Sequence, residues 1–350
     1  MRAVGLMRTH TCGDLTARHE GEEVTLVGWV NRWRDHGGVL FLDLRDRYGI
    51  TQVVLPSDSP RLQRIGRDLR AEWLIRVSGS VRRRPEGMTN PGMATGEVEL
   101  LAREIEVLNQ SRTPPFVIQD EVKATEESRL TYRFLDLRRT PMKQAIILRH
   151  RVSQTIRRYL DSLGFLEIET PVLTRSTPEG ARDYLVPSRT HAGKFYCLAQ
   201  SPQLYKQLLM ISGFDRYYQF ARCFRDEDQR ADRQPEHTQI DIELSLADEE
   251  EIFSLVEGMM REVFRAAKGL EIEVPFKRLT YGEAVERYGT DKPDLRFGLE
   301  LKDLTEISRL SESRILKEAE AVKAIDAPAD LSRKEISGLE QHVSKTFRAP

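Results

Sequence analysis

The chain has 350 residues, 39% hydrophobic and 31% charged; this balance supports two or three packed domains and excludes a disordered or membrane-embedded polypeptide. Its 54 Lys plus Arg nearly cancel 55 Asp plus Glu, so the molecule has no long-range pull on a polyanion, and nucleic-acid contacts would come from local basic patches. Cys12, Cys197 and Cys223 are too far apart for a disulfide framework or a paired-cysteine zinc site, and the lack of a long apolar run or secretory signal points to the cytoplasm.

Residues 22 to 55 alternate apolar and polar with turn signals between, predicting strands at Val24–Val27, Val39–Leu44 and Ile50–Leu55. A helical stretch follows near Arg61–Arg70, then two more strand patterns at Trp73–Val81 and Val98–Val107. Five strands with a helix between the third and fourth describe an oligonucleotide/oligosaccharide-binding (OB) barrel over residues 1 to 110.

Residues 111 to 131 lack a strong apolar period and read as a linker or hinge. Beyond it, Ile146–Leu163 has helical spacing, Gly164 ends it, and Phe165–Pro171 reads as a strand. Antiparallel strands are expected around Lys194–Leu198, Tyr217–Phe224 and Gln239–Leu246, with helices at Pro202–Met210 and Glu249–Ala267. This is an α+β domain over residues 132 to 295. The tail from Lys302, rich in Glu, Lys, Ala and Ser, reads as mostly helical with a loop near Ala327.

Three segments of the second domain carry chemistry. Helix, strand and Pro171 form the first, a common arrangement taken alone. The second is the loop Ser176–Asp183 followed by Gln200-Ser-Pro-Gln203 and Lys206. A carboxylate such as Glu179 suits an ammonium and Lys206 a carboxylate, so the pair would clamp a small zwitterion; ordinary loop polarity explains each residue singly. The third runs from Arg222 to Glu243, with Arg225, Glu227, Arg230, Arg233, Gln234 and Asp241 between two apolar strands. Such a density of charge suits a phosphate-bearing ligand, since arginines bind phosphate oxygens bidentately; a solvated hairpin is the competing reading.

Together these segments resemble the class II aminoacyl-tRNA synthetases, and most closely bacterial-type aspartyl-tRNA synthetase, from about Met7 to about Leu301. The runs Ser176–Tyr184, Gln200–Lys206, Cys223–Asp228, Arg230–Pro235 and Tyr288–Leu295 carry the likeness. It implies that aspartate attacks ATP to give aspartyl-adenylate and that the aspartyl group then passes to tRNA(Asp). Glu179, Gln203 and Asp241 would surround the amino group with Ser201 nearby, and Lys206 would neutralise the side-chain carboxylate. Arg225 would hold the α-phosphate and the substrate carboxylate, Asp226 and Gln234 would belong to the ATP site, and Glu227 would recognise the adenine amino group. Where the family usually has phenylalanine before Thr-Gln-Ile-Asp this chain has His237, so adenine would stack on an imidazole and ATP affinity would follow its protonation.

In the barrel, Arg32, Arg34, Phe41 and Gln52 resemble the anticodon-reading face: Phe41 would stack a base, Gln52 would read the central uridine, and the arginines would follow phosphate. Core packing is the bland reading of Phe41. His36 and Gly87 occur at these positions in relatives that charge both the aspartate and the asparagine tRNA, which implies tRNA(Asn) as a second partner. The resemblance further implies a homodimer through the Pro171 region and Mg2+ with ATP, the ion's acidic ligands lying beyond this chain. Residues 296 to 350 would begin an inserted α/β domain or form a divergent tail, and the catalytic domain would lack its last Gly-rich arginine motif. The expectation is then that the chain neither makes adenylate nor folds robustly alone. Enzymes for lysine or asparagine, or a tRNA-binding protein without catalysis, are the alternatives.

Overall fold

The computed structural model describes residues 7–177, 179–228, 230, 233–296, 298–326 and 331–347. The chain divides into two compact units, residues 1–248 with 259–272 and residues 249–258 with 273–350.

The first unit opens with strands β1 (Glu23–His36), β2 (Val39–Arg45) and β3 (Ile50–Leu55), helix α1 (Pro60–Asp68), and strands β4 (Leu74–Arg83) and β5 (Val98–Asn109). They close into a barrel in the order β1-β2-β3-β5-β4, with β3 parallel to β5, as the alternating pattern and intervening helix predict. Strand alternation sends Leu40, Leu42 and Leu44 into the core, fully buried, while Phe41 and Asp43 face outward and are half-buried. β1 runs well past its predicted end because it passes from β4 to β2 across a bulge between Val30 and Arg32. Gly37 and Gly38 then make the tight turn to β2 with φ of 63° and 90°, the two positive values that such a hairpin requires.

β4 approaches β5 so closely that a Cβ on Gly79 would lie 2.0 Å from the Leu101 carbonyl oxygen, beside the irregularity between Ser78 and Gly79. Relief would require shifting backbone. Gly79→Ala is therefore expected to destabilise the chain by about 2 kcal/mol, read as a lower midpoint in urea. An unchanged midpoint would show that β4 can slide without breaking its ladder.

The stretch read as linker holds a short helix, α2 (Glu126–Thr131), because Thr125 Oγ1 accepts the Ser128 N–H at 3.3 Å and two acids occupy the first turn. Its path is tied to α3 (Arg133–Asp136): Arg139 donates to the carbonyls of Gln119 and Asp120, while fully buried Asp136 pairs with Arg133 and Arg139, each at 2.8 Å. Next come α4 (Thr140–Ser162), β6 (Leu166–Glu167), β7 (Leu173–Thr174), β8 (Leu185–Pro187), β9 (Phe195–Leu198), α5 (Gln203–Ile211), β10 (Arg216–Phe224), β11 (Glu236–Leu244) and α6 (Glu249–Lys268). β10 and β11 form an unbroken antiparallel ladder from Arg216 opposite Leu244 to Phe224 opposite Glu236. The strand expected at Phe165–Pro171 shrinks to β6, which is parallel to β10. β7, β9 and β8 make a separate antiparallel sheet.

In the second unit, α7 (Tyr281–Tyr288) has a reciprocal cap between Thr280 and Glu283 and ends at Gly289 with φ 69°. Strand β12 (Leu301–Asp303), helices α8 (Thr305–Ser308) and α9 (Arg314–Glu318), strand β13 (Lys323–Ile325) and helix α10 (Arg333–Phe347) follow. The tail is mostly helical, as read, through α8, α9 and α10, with the β12–β13 pair added to it. Three-residue strands twenty residues apart leave no period to read, and Lys323 fixes them by bonding Asp303 at 3.0 Å. The loop expected near Ala327 lies outside the described residues.

Candidate functional site

The β10–β11 hairpin organises the site. Residues opposite one another in an antiparallel ladder share a face, and the register places Tyr217 with Glu243, Gln219 with Asp241, and Cys223 with His237 on one side. Just beyond the ladder, Arg225 N–H donates to the Pro235 carbonyl at 2.9 Å, extending the hairpin by one pair. Arg225, Glu227, Asp228, Arg233, Gln234 and His237 line a cavity of about 390 Å³. Four of the residues expected at the nucleotide thus meet in one place. Asp226 is the exception: its N–H donates to the Arg182 carbonyl, and its side chain lines the neighbouring cavity with Arg182 and Arg230.

At the inner end of the same face, α5 begins after Pro202 and presents Gln203 and Lys206 one helical turn apart. Lys206 Nζ donates to Asp241 Oδ1 at 3.0 Å and lies 3.1 Å from Glu243 Oε2. Burial would favour the neutral amine, but the hydrogen bonds and charges of Asp241 and Glu243 outweigh it and hold the Lys206 pKa above its ordinary value. Burial also pushes the Asp241 carboxyl above the usual carboxylate range despite Lys206. Glu179 is oriented by Thr177 Oγ1 at 3.0 Å and Ser201 Oγ at 2.6 Å, and the Ser201 oxygen also accepts the Gln203 N–H at 3.2 Å.

Cys223 connects the two ends. Burial first, opposed by the charge of Arg225 and reinforced by those of Asp241 and Glu179, pushes its thiol up to about 11, so the thiol stays protonated and unreactive. Arg225 Nε and Asp241 Oδ2 are both buried without a hydrogen-bond partner among the described residues. A donor and an acceptor left open on one face suit a ligand bearing both an anion and an ammonium. Asp241 and Glu243 are both engaged by Lys206.

Sequence reasoning missed two contributors. Glu243 shares Lys206 with Asp241 and sits two residues along the same strand, a spacing that could have been read. Gln200 holds the 176–184 loop at both ends of its amide, taking the Ala181 N–H at 3.3 Å and donating to the Ala181 carbonyl at 2.9 Å; nothing in its local sequence announces this.

On the barrel, the register sets Arg32 opposite Asp43, Arg34 opposite Phe41, and Asp43 opposite Gln52, so the expected anticodon residues share the outer face. His36 packs edge-on against Phe41 with centroids 5.9 Å apart. Arg32 and His36 are exposed, whereas Arg34 bonds Asp43 at 3.0 Å and Gln52 Oε1 at 3.2 Å. Gln52 is buried and donates to Glu99 Oε2 at 2.8 Å, with Arg82 on the other Glu99 oxygen. The Gln52 amide is therefore engaged at both ends. Gly87, with φ 77°, is exposed.

A barrel with an aromatic and arginine face is joined to a hairpin that aligns an arginine cavity with a lysine-carboxylate cluster. Residues 125–342 match the family model of class II tRNA synthetases (D, K and N), and residues 24–108 match the OB-fold nucleic acid binding domain. The chain belongs to the class II tRNA synthetases of this D, K and N group. It is 53% identical over 346 residues to an aspartate–tRNA(Asp/Asn) ligase of Desulfatibacillum aliphaticivorans, covering 97% of this chain and 58% of the relative. With the enzyme of the same name from Oleidesulfovibrio alaskensis it shares 56% over 339 residues, 96% of this chain and 56% of that one. It thus spans a little over half the length of these curated relatives. Asparaginyl-tRNA synthetase of Pyrococcus horikoshii, solved with asparaginyl-adenylate, shares the fold with a TM-score of 0.68 at 23% identity, covering 86% of this chain and 70% of that one. Among the described residues no helix is long and apolar enough to cross a membrane.

Proposed function

We propose that the chain works in aspartate–tRNA ligation: ATP-dependent activation of L-aspartate to aspartyl-adenylate, then transfer to tRNA(Asp) and, on the relaxed reading of His36 and Gly87, to tRNA(Asn). The observation that carries this is the pairing, on one hairpin face, of the Arg225–Glu227–Gln234–His237 cavity with the Lys206–Asp241–Glu243 cluster. No side chain acts as nucleophile. The substrate carboxylate attacks the α-phosphorus, and the protein supplies alignment and charge. Arg225 offers its open donor to the α-phosphate and the attacking carboxylate. Glu227 and Gln234 hold the adenine end, and His237 lies under the ring. Asp241 Oδ2 and Glu179 take the ammonium, with Ser201 and Gln203 beside them. Lys206, held between Asp241 and Glu243, turns toward the substrate side-chain carboxylate and thereby favours aspartate over asparagine. Mg2+ accompanies ATP and screens its phosphates when bound.

The barrel would hold the anticodon, Phe41 stacking a base and Gln52 turning its amide from Arg34 to a base edge, which frees Arg34 to join Arg32 on phosphate. α4 leaves Ile146 exposed, and Leu166 and Leu173 beyond it are exposed as well; this face suits a homodimer partner. The cytoplasm is the proposed location. A barrel that only carries RNA is less favoured, because it gives no role to the open Arg225 and Asp241 atoms.

Aspartate-dependent exchange of pyrophosphate into ATP tests the reading, with asparagine and lysine in parallel. Aspartate alone should support exchange, against the expectation from the sequence that the chain makes no adenylate by itself; exchange driven by lysine or asparagine would move the specificity elsewhere. In charging assays Gln52→Ala should cost about 1–3 kcal/mol in tRNA discrimination, the scale of one base-edge contact, and leave pyrophosphate exchange untouched. Loss of both activities would assign Gln52 to barrel folding instead.

A further inference from the structure

We propose that His10, His19 and Glu22 form a binding site for a divalent transition ion of the zinc class on the N-terminal flank of the barrel. Each of the three offers one ligand atom, and these atoms all lie within 4.8 Å of one another. Tetrahedral ligation at bond lengths of about 2.0–2.1 Å needs ligand separations of roughly 3.3 Å. The remaining distance is closed by side-chain rotation, because the two histidines are half-buried and Glu22 is exposed.

The first ligand is held by a threonine. Thr9 Oγ1 accepts the Thr25 N–H at 2.8 Å and lies 3.3 Å from the Thr25 carbonyl and 3.0 Å from His10 Nδ1. In the loaded site His10 Nδ1–H donates to this oxygen, which leaves Nε2 to ligate. A ligating histidine in metal sites is held in just this way through its other nitrogen. The rings of His10 and His19 meet edge-on with centroids 5.2 Å apart. His19 Nδ1 lies 3.0 Å from Thr16 N and 3.2 Å from Thr16 Oγ1. Without metal the amide N–H donates to Nδ1 and the proton sits on Nε2. With metal the proton moves to Nδ1, the ring turns so that Nδ1–H donates to the Thr16 hydroxyl oxygen, the Thr16 amide N–H exchanges its acceptor for water, and Nε2 ligates. Metal uptake is thus coupled to a tautomer change at His19, with one proton relocated and none lost from the ring.

The third ligand is placed by the turn at residues 19–22. Glu22 N–H donates to the His19 carbonyl at 3.0 Å, and Gly21 N–H donates to the Val81 carbonyl at 2.8 Å. Its carboxylate makes no hydrogen bond or ion pair among the described residues, whereas its neighbours Glu20 and Glu23 are paired with Arg83 and Arg103. Two imidazoles and one carboxylate are the donor set of Zn2+, and also of Co2+ or Ni2+, rather than of Mg2+ or Ca2+. A bound ion would staple the segment that precedes β1 to the turn that opens it, at the flank of the barrel and away from the hairpin.

The test uses the full chain without a polyhistidine tag. Zn2+ added alone should bind with a stoichiometry of one in calorimetry. Co2+ should give visible d–d absorption without a thiolate charge-transfer band, which separates this site from the three cysteines. His10→Ala and His19→Ala should each weaken binding by more than tenfold, and Thr9→Val by about tenfold through loss of the orienting contact. His191→Ala should bind as the parent does. Two-bond 1H–15N spectra should move the His19 proton from Nε2 to Nδ1 as Zn2+ is added. Absence of saturable binding, or binding that His10→Ala and His19→Ala leave unaltered while both variants keep the parent's unfolding midpoint, would overturn the proposal.

Discussion

Replacing Arg225 by glutamine is expected to lower aspartate-dependent pyrophosphate exchange by about 10²–10³-fold, the usual cost of removing one preorganised donor from developing phosphate charge, with the unfolding midpoint unchanged. The separation of activity from stability follows from how the residue is held. Its backbone is pinned by the Pro235 carbonyl whatever the side chain. Its guanidinium makes no ion pair among the described residues, and Nε is buried without a partner there, so no hydrogen bond or ion pair among the described residues is lost when the group is removed. A donor that is desolvated and open in the resting protein needs no reorganisation when charge builds on the α-phosphate. Arg225→Lys should recover only part of the loss, because an ammonium cannot span two oxygens as the planar fork does. Exchange in Arg225→Gln within threefold of the parent would remove this arginine from the reaction.

Much of this was legible in the sequence because the relevant signals are local. The barrel shows itself through strand alternation, the Gly37–Gly38 turn and the position of one helix, all written in adjacent residues. The hairpin residues are likewise grouped because alternation on β10 and β11 puts every second side chain on one face, so that Arg225 and His237 meet without tertiary knowledge. What stayed hidden depends on partners distant in sequence. Gln52 carries no local sign that Glu99, on a strand 47 residues away, takes its amide. Asp226 reads as one of a run of charges beside Arg225, yet its direction is set by backbone pairing with Arg182. β12 and β13 escape because three residues are too few for a period, and α2 because a six-residue helix rests on its cap rather than on an apolar face.

Lys206→Met is expected to cut kcat/KM for aspartate by about a thousandfold, within the roughly 2–5 kcal/mol that truncating one partner of a buried charge pair costs in recognition, and to act more strongly on aspartate than on asparagine. Asp241 and Lys206 expose only 9% and 11% of their side chains, so solvent cannot replace the missing charge, and Glu243 loses the same partner. The sign of the pH response follows. Asp241 must be ionised to hold the substrate ammonium, and burial already sets its pKa above the ordinary range with Lys206 opposing that shift. Without the ammonium the opposition disappears, the pKa climbs further, and the acid limb of the activity profile moves to higher pH. Stability runs the other way. A carboxyl whose folded pKa is raised weakens the fold once it ionises, so the stability deficit of Lys206→Met relative to the parent should shrink as pH falls through that raised pKa and the group becomes neutral. Measuring pyrophosphate exchange against pH beside urea midpoints at the same pH values distinguishes this from simple loss of packing, which would lower both quantities equally at every pH. An acid limb that stays in place, or equal losses for aspartate and asparagine, would mean that Lys206 only neutralises its neighbours and never meets the substrate carboxylate.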